Sequence, residues 1–249
     1  MPINDHRRSI ALFASPFLLS VTAFASDPQA SGWKNYVTLY GLGAGLDGDV
    51  TVRGIEGELD ASFSDILEDL EFGAMLAYRG EAETWYLSLD AVYMGLGASR
   101  TKGGVTADVD FDEFVLEADV GLRISPQFEA FVGARLWSLD AQLEVTGPGP
   151  GQEGQSDQDW VDPLVGARYI QPIGDAWSFV LRGDVGGFGV GSEFSWQGLA
   201  RVNWQCSESL ALNVGYRYID VDYEDGSGSD EFRYDVATSG PMVGLTFGF

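Results

Sequence analysis

The final ten residues, from Gly240 to Phe249, constrain the fold more than any other stretch of the chain. Successive side chains of a β-strand point to opposite faces. One face therefore carries Val243, Leu245, Phe247 and Phe249, and the other carries Met242, Gly244, Thr246 and Gly248. A terminal strand leaves an open sheet edge unless another strand pairs with it, and in a barrel that partner is the first strand. We therefore expect an all-β fold that closes between its first and last strands.

The preceding chain contains about ten segments of strand length in which apolar and polar residues alternate, as in transmembrane barrels. These segments are 34–46, 71–79, 84–94, 113–124, 127–145, 163–172, 176–190, 194–205, 209–223 and 231–249. Tight connections alternate with mostly longer ones at 47–70, 97–110, 146–162 and 224–230. This pattern predicts a transmembrane, antiparallel, up-and-down β-barrel of about ten strands, with eight strands as the alternative.

Charged residues recur on the strand faces that also carry glycine, which favours a membrane barrel over a soluble, calycin-like barrel with an apolar interior. Small residues make room for long charged side chains in a narrow lumen, where opposite charges can pair. The predicted lumen charge network comprises Arg79, Asp90, Glu117, Asp119, Arg123, Arg135, Arg168, Arg182, Asp184, Arg201 and Arg217. We expect this network to fill the lumen; the alternative is that the same charges line a narrow passive channel for small solutes or ions. Met75, Phe131, Phe188 and Leu199 are expected to point into the same lumen.

The first 25 residues have the pattern of a secretory signal peptide. A short basic region ends at Arg8, a mostly apolar stretch runs from Ser9 to Phe24, and Ala23-Phe24-Ala25 provides small residues at the cleavage site. We therefore expect residues 1–25 to be removed on export and residues 26–249 to form the barrel.

Composition argues against two functional classes. The formal net charge of −24 excludes nucleic acid as a partner. The single histidine, His6, lies in the predicted signal peptide, so the exported chain has no imidazole to act as a general base. We therefore predict that the protein is not an enzyme, and the sequence nominates no catalytic residue and no cofactor.

Acidic residues concentrate in two predicted outer loops, 47–71 and 220–235. Asp225 and Asp230 are candidate ligands for Ca²⁺ or Mg²⁺, because their spacing suits oxygen coordination. A solvated acidic surface is the alternative, and a third possibility is that these loops share divalent cations with lipopolysaccharide phosphates. Residues 64–70 are predicted to form a short helix, capped by Ser64, that packs Ile66, Leu67 and Leu70 on the barrel mouth.

Several stretches together resemble a known group of proteins. They are Ser62–Leu70, Asp159–Arg168, Leu181–Gly189, Gly215–Tyr218 and the closing strand, in which Gly244, Phe247 and Phe249 resemble the C-terminal assembly signal of bacterial outer-membrane barrels. The chain thus resembles an uncharacterised family of bacterial outer-membrane β-barrel proteins, broadly OmpA-like or OmpW-like. The resemblance implies the fold, a place in the Gram-negative cell envelope, and contacts with outer-membrane lipid, lipopolysaccharide and the barrel-assembly machinery. It carries no established activity, so we expect a structural or surface-interaction role.

Overall fold

The computed structural model describes residues 32–52, 55–102, 104–147 and 151–249, and the predicted signal peptide lies outside them. Within the described residues the chain forms twelve strands and one α-helix. The elements are β1 (Lys34–Leu42), β2 (Gly45–Val52), β3 (Ile55–Ala61), α1 (Phe63–Asp69), β4 (Leu70–Glu81), β5 (Trp85–Lys102), β6 (Val105–Arg123), β7 (Phe128–Thr146), β8 (Gln152–Ile173), β9 (Trp177–Gly186), β10 (Phe194–Ser207), β11 (Leu210–Asp225) and β12 (Phe232–Gly248). A 3₁₀ turn, Gly228–Asp230, precedes β12.

Ten of these strands, β1 and β4 to β12, form one closed antiparallel barrel. The barrel closes where β1 pairs with β12, with Leu39 opposite Leu245 and Tyr36 opposite Gly248. The last residue continues this pairing, since the Phe249 amide donates to the Asn35 carbonyl at 3.0 Å and the Asn35 amide donates back at 3.1 Å. The predicted ten-stranded barrel, closed between its first and last strands, is confirmed.

Strands β2 and β3 form a hairpin that extends the barrel wall at one end. β1 and β2 pair with different halves of β12, which is paired with β1 over Met242–Gly248 and with β2 over Phe232–Ser239. β3 then pairs with β2, and helix α1 leads into β4. We call the end of the barrel that carries this hairpin and α1 the long-hairpin end. We call the opposite end the short-turn end; its connections are 82–84, 124–127, 174–176 and 208–209.

Most of the predicted long loops are wrong, because the strands continue through them. Residues 97–110 belong almost entirely to β5 and β6, which remain paired from Trp85 to Lys102. β8 begins at Gln152 inside the expected loop 146–162, and residues 47–70 hold the β2–β3 hairpin and α1. The predicted strand 176–190 instead ends at Gly186, and Phe188 lies in the following turn with φ +55° and an exposed side chain, not in the lumen.

The helix forms close to its predicted position but with a different cap. Ser62 is the N-cap: its hydroxyl accepts from the Asp65 amide at 3.4 Å, and the Asp65 carboxylate accepts from the Ser62 amide at 3.0 Å. Ser64 was the wrong choice because this reciprocal capping box needs an acidic side chain three residues after the cap. Ile66 is buried as expected, whereas Leu67 is exposed. No helix among the described residues is long and apolar enough to cross a membrane.

The apolar side of the wall changes from outside to inside along the strands. On β11, Val214 and Tyr216 face outward and Arg217 faces inward in the first half of the strand, but further toward the long-hairpin end Asp220 faces outward and Val221 inward. The alternation itself continues without interruption, because the strand keeps its period of two. The core therefore lies inside the barrel at the long-hairpin end, while the apolar surface lies outside nearer the short-turn end.

Candidate functional site: the barrel lumen

A central charge network crosses the lumen of the barrel and is built on β6, β7 and β9. The buried guanidinium of Arg135 contacts Glu117 at 2.5 Å and Asp184 at 2.8 Å. Arg182 contacts the same two carboxylates and also Asp119, at 3.2 Å. All five residues were predicted lumen residues, and the structure brings them together. Because every charge has a partner of opposite sign, the desolvation cost of burying them is offset in part.

The network continues across the lumen to β1 through polar side chains that sequence reasoning did not single out. Gln197 donates to Asp184 at 3.0 Å and accepts from Arg217 at 2.7 Å. Arg217 also donates to the Tyr40 hydroxyl at 3.0 Å, and Tyr40 donates to Asp90 at 2.5 Å. This chain of contacts links β9, β10, β11, β1 and β5 through the interior of the barrel.

A second cluster, nearer the short-turn end, gathers three predicted arginines around one buried carboxylate. Glu129 accepts from Arg79 at 2.7 Å and from Arg168 at 3.2 Å, and Arg123 lies 3.6 Å away. Arg79 also stacks over the Tyr86 ring, 3.8 Å from its centroid. Glu129 was missed by sequence reasoning, although it shares the inward face of β7 with Arg135 and strand parity alone could have found it.

Arg201 differs from the other predicted network residues because it forms no ion pair within the described part of the chain. Its buried Nε has no hydrogen-bond partner. The side chain lines two adjoining cavities, one of about 90 Å³ beside the central network and one of about 710 Å³ that reaches the turns of the short-turn end. The two cavities share Arg79, Arg168, Val180 and Arg201 in their walls, so they adjoin one another, and we call the pair the vestibule.

Glycines provide the space that these large inward side chains occupy. A β-carbon at Gly121 would overlap the ring of Tyr86, and one at Gly166 would overlap the ring of Phe131. The crowded interior therefore explains why glycine and charged residues alternate on the same strand faces.

Above the central network, toward the long-hairpin end, the lumen becomes apolar, which sequence reasoning did not anticipate. Trp160 stacks between Trp137 and Tyr223, with ring centroids 5.7 Å and 3.9 Å apart. The Trp160 indole donates to the Ser192 hydroxyl at 2.8 Å, and Asp162 accepts both the amide and the hydroxyl of Ser192. These bonds anchor the 187–193 turn on the barrel. An apolar cavity of about 280 Å³ lies above the aromatic side chains, beside α1.

The remaining predicted residues lie away from the lumen network. Asp225 ends β11 and Asp230 lies in the 3₁₀ turn, both exposed. Within the described part of the chain, no group of three or more His, Cys, Asp or Glu side chains is arranged to hold a metal ion. Phe247 and Phe249 expose their rings, and Gly244 packs its backbone against Tyr40, where a β-carbon would lie 2.7 Å from the Tyr40 β-carbon.

No family model and no curated protein matches this chain. Among solved structures, it is similar to Ail, the attachment invasion locus protein of Yersinia pestis, at 13% identity and a TM-score of 0.39, covering 88% of this chain and 99% of Ail. Neisserial surface protein A matches at 13% identity and a TM-score of 0.35, over 88% and 98% of the two chains. The outer membrane protease OmpT from Escherichia coli matches at 9% identity and a TM-score of 0.46, over 87% and 97%. These values are too low to carry an argument about function, and the resemblance to OmpA-like or OmpW-like proteins in particular stays a prediction.

Proposed function

We propose that the protein is an integral barrel of the bacterial outer membrane with a structural or surface-interaction role, no enzymatic activity and a lumen that does not conduct. The observation that carries this proposal is an apolar belt on the outside of all ten barrel strands. Exposed or half-buried aliphatic side chains of the belt are Leu39, Leu76, Leu89, Val120, Val132, Val165, Leu181, Val202, Val214 and Val243. Such a continuous exposed apolar surface on a closed barrel is stable in lipid and prone to aggregation in water.

Aromatic residues border this belt on both sides, as at the interfaces of outer-membrane barrels. Trp85, Phe128, Trp177 and Trp204 lie near the short-turn end, and Phe72, Phe194, Trp196 and Tyr216 lie toward the other end; all are exposed. We assign the short turns to the periplasm and the long hairpins to the cell exterior, because outer-membrane barrels have short periplasmic turns. In this proposal the signal peptide exports the chain, and the closing strand with Gly244, Phe247 and Phe249 is read by the barrel-assembly machinery.

The central charge network supports a closed lumen. Arg135 has no exposed surface, and the carboxylates of Glu117 and Asp184 that it contacts are almost as deeply buried. A barrel of ten strands encloses little more than its own side chains, whereas aqueous porins have 16 to 18 strands. Ions would have to displace paired, buried charges in order to pass.

A row of outward-facing carboxylates supports a surface-interaction role. Asp112, Asp140 and Asp157 face outward and lie directly opposite one another on β6, β7 and β8. The row begins at the upper edge of the belt, where the Tyr93 hydroxyl donates to Asp112 at 2.6 Å. At this height the carboxylates can share Ca²⁺ or Mg²⁺ with phosphate groups of lipopolysaccharide.

A narrow passive channel is the second candidate function, and the vestibule at the short-turn end favours it. The vestibule reaches the central network, where Glu117, Arg182 and Arg217 line its inner cavity. To extend it through the barrel, these side chains would have to move, and so would the stacked rings of Trp137, Trp160 and Tyr223 that lie beyond them.

Single-channel recording of refolded protein in planar bilayers tests both candidates. We expect no stable channel from the native protein. Arg182→Ala should produce a leak, because it removes a side chain that contacts three lumen carboxylates. Arg233→Ala, which removes a partly exposed arginine whose ion pair within the described residues is with Asp235, is the matched control and should stay silent. Stable channels from the native protein would reject the closed lumen and favour the channel.

A further inference from the structure

We infer that the apolar cavity at the long-hairpin end is a binding site for one small, neutral, aromatic or similarly apolar molecule. The cavity lies inside the barrel wall, above the stacked aromatic side chains. Its walls include Val50, Ile66, Phe111, Leu139, Phe232 and Tyr234, contributed by β2, α1, β6, β7 and β12. Four of these side chains, Ile66, Leu139, Phe232 and Tyr234, also belong to the buried core of the protein. Part of the cavity wall therefore belongs to the buried core at this end of the molecule.

The size of the cavity sets the class of ligand. Its volume is about 280 Å³. In another protein, an engineered apolar cavity of about 150 Å³ stays dry and binds benzene, so a cavity of nearly twice that volume suits a fused two-ring molecule. Wall atoms that face an empty space lose dispersion contacts, and an apolar ligand restores them. Water is a poor occupant because so few wall atoms can hydrogen-bond to it.

Charges at the edge of the cavity select against anions. Asp65 and Asp69 of α1 line the cavity, and its other lining residues in the described part of the chain include no arginine or lysine. The Tyr234 hydroxyl is already engaged, because it donates to the buried Glu113 carboxylate at 3.2 Å. An anionic ligand would be repelled by these carboxylates and would place its charge against an apolar wall, whereas a neutral ring would meet only apolar contacts.

The position of the cavity sets the direction from which the ligand enters. Two layers separate the cavity from the vestibule at the short-turn end. The first is the stacked aromatic group of Trp137, Trp160 and Tyr223, and the second is the central charge network. The ligand therefore enters from the long-hairpin end, where Ile66 is the buried side chain that α1 contributes to the cavity wall. A ligand held here lies inside the barrel, on the long-hairpin side of the closed lumen. This position suits capture or sensing of the ligand and not its passage through the barrel.

Methyl NMR of the folded protein in lipid nanodiscs, with labelled isoleucine δ1 groups, tests this site with naphthalene as the probe. Naphthalene also partitions into lipid, and Ile124 controls for this because it is exposed on the outer wall. We expect the Ile66 signal to shift saturably, and Ile124 to change only in proportion to the naphthalene in the lipid. If Ile66 responds no more than Ile124, the site does not exist.

Two matched comparisons sharpen the test. Ala141→Phe fills the cavity and should abolish the saturable Ile66 shift, whereas Ala130→Phe places the same ring on the outer face of the same strand and should leave it intact. Retained binding in a folded Ala141→Phe protein would overturn the assignment, and Ala61→Phe, from a second wall of the cavity, replaces it if that variant fails to fold. In the native protein, 2-naphthoate should not produce the Ile66 shift; equal binding of naphthoate would overturn the selection for neutral ligands.

Discussion

At the scale of single residues, the lumen shows how burial determines the cost of breaking an ion pair. Arg135 has no exposed surface and lies between Glu117 and Asp184, whereas Arg233 and Asp235 form a pair of similar length at the surface, with side chains about two-fifths exposed. Water solvates and screens the surface pair, so its net contribution to stability is small. Water cannot solvate the buried carboxylates of Glu117 and Asp184 in this way. Removing the Arg135 guanidinium would therefore leave their negative charge without a partner in a poorly solvated interior.

Arg135→Ala should therefore destabilise the barrel by about 3–5 kcal/mol, because two buried carboxylates lose a partner. Arg233→Ala should cost less than about 1 kcal/mol. Urea unfolding of the refolded proteins, followed by tryptophan fluorescence and by the heat-dependent shift on a gel, measures both. Similar small losses for the two variants would mean that water solvates the lumen and that the central network does not close it.

At the scale of elements, the outward carboxylates of β6, β7 and β8 face one another across neighbouring strands. Partial burial is the main cause that raises the pKa of Asp140, and the hydrogen bond and negative charge of Asp157 and the charge of Asp112 raise it further. A carboxyl group whose pKa is higher in the folded state opposes folding when it is ionised. The repulsion is therefore present at neutral pH and is relieved as the pH falls through the raised pKa of Asp140.

We expect Ca²⁺ to slow hydrogen exchange of the long-hairpin ends of β6, β7 and β8 at neutral pH, because the cation bridges the facing carboxylates. Asp140→Asn should slow exchange without Ca²⁺ and reduce the further effect of Ca²⁺. Both differences should shrink at a pH low enough to protonate Asp140. Asp175→Asn, at a short turn of the opposite end, is the control. If Ca²⁺ does not change the hydrogen exchange of these strands, the row of carboxylates is a solvated acidic surface and not a cation-binding one.

At the scale of the whole molecule, the barrel combines two arrangements of opposite polarity. Nearer the short-turn end the outer surface is apolar and the lumen is charged, as suits a wall in lipid. At the long-hairpin end the outer surface is polar and the lumen holds an apolar core, as in a soluble barrel. The level at which the strands change from one arrangement to the other marks the upper boundary of the apolar belt.

Leu89→Arg tests this orientation, since Leu89 belongs to the belt. The change should impair insertion by about 2–4 kcal/mol if the residue lies near the bilayer midplane. Asp90→Asn, one residue further on and inward-facing, should still fold, because an amide oxygen can accept from Tyr40 as the carboxylate does. The heat-dependent gel shift after refolding into lipid reports both. Equal tolerance of the two changes would reverse the assignment of the faces.

The amino-acid sequence by itself predicted the strand period, a barrel of about ten strands with eight as the alternative, and the pairing of the last strand with the first. It also placed Glu117, Arg135, Arg182 and Asp184 on inward faces, since parity follows from local chain geometry alone. The same reasoning made β5, β6 and β8 too short at the long-hairpin end, because it looked for an apolar outer face. Beyond the belt the alternation persists with the apolar residues inside.

Only the tertiary structure decided which inward residues meet, because contacts across a lumen depend on the diameter and stagger of the closed barrel. For this reason Glu129 contacts three arginines, Gln197 links two parts of the network, and Arg201 has no ionic partner among the residues that the structure describes. The apolar cavity likewise exists because α1 and the β2–β3 hairpin meet the ends of distant strands. A period of two states which side chains share a face, and the charges on one face indicate that it is the inner one, but only closure determines which side chain lies opposite another across the lumen.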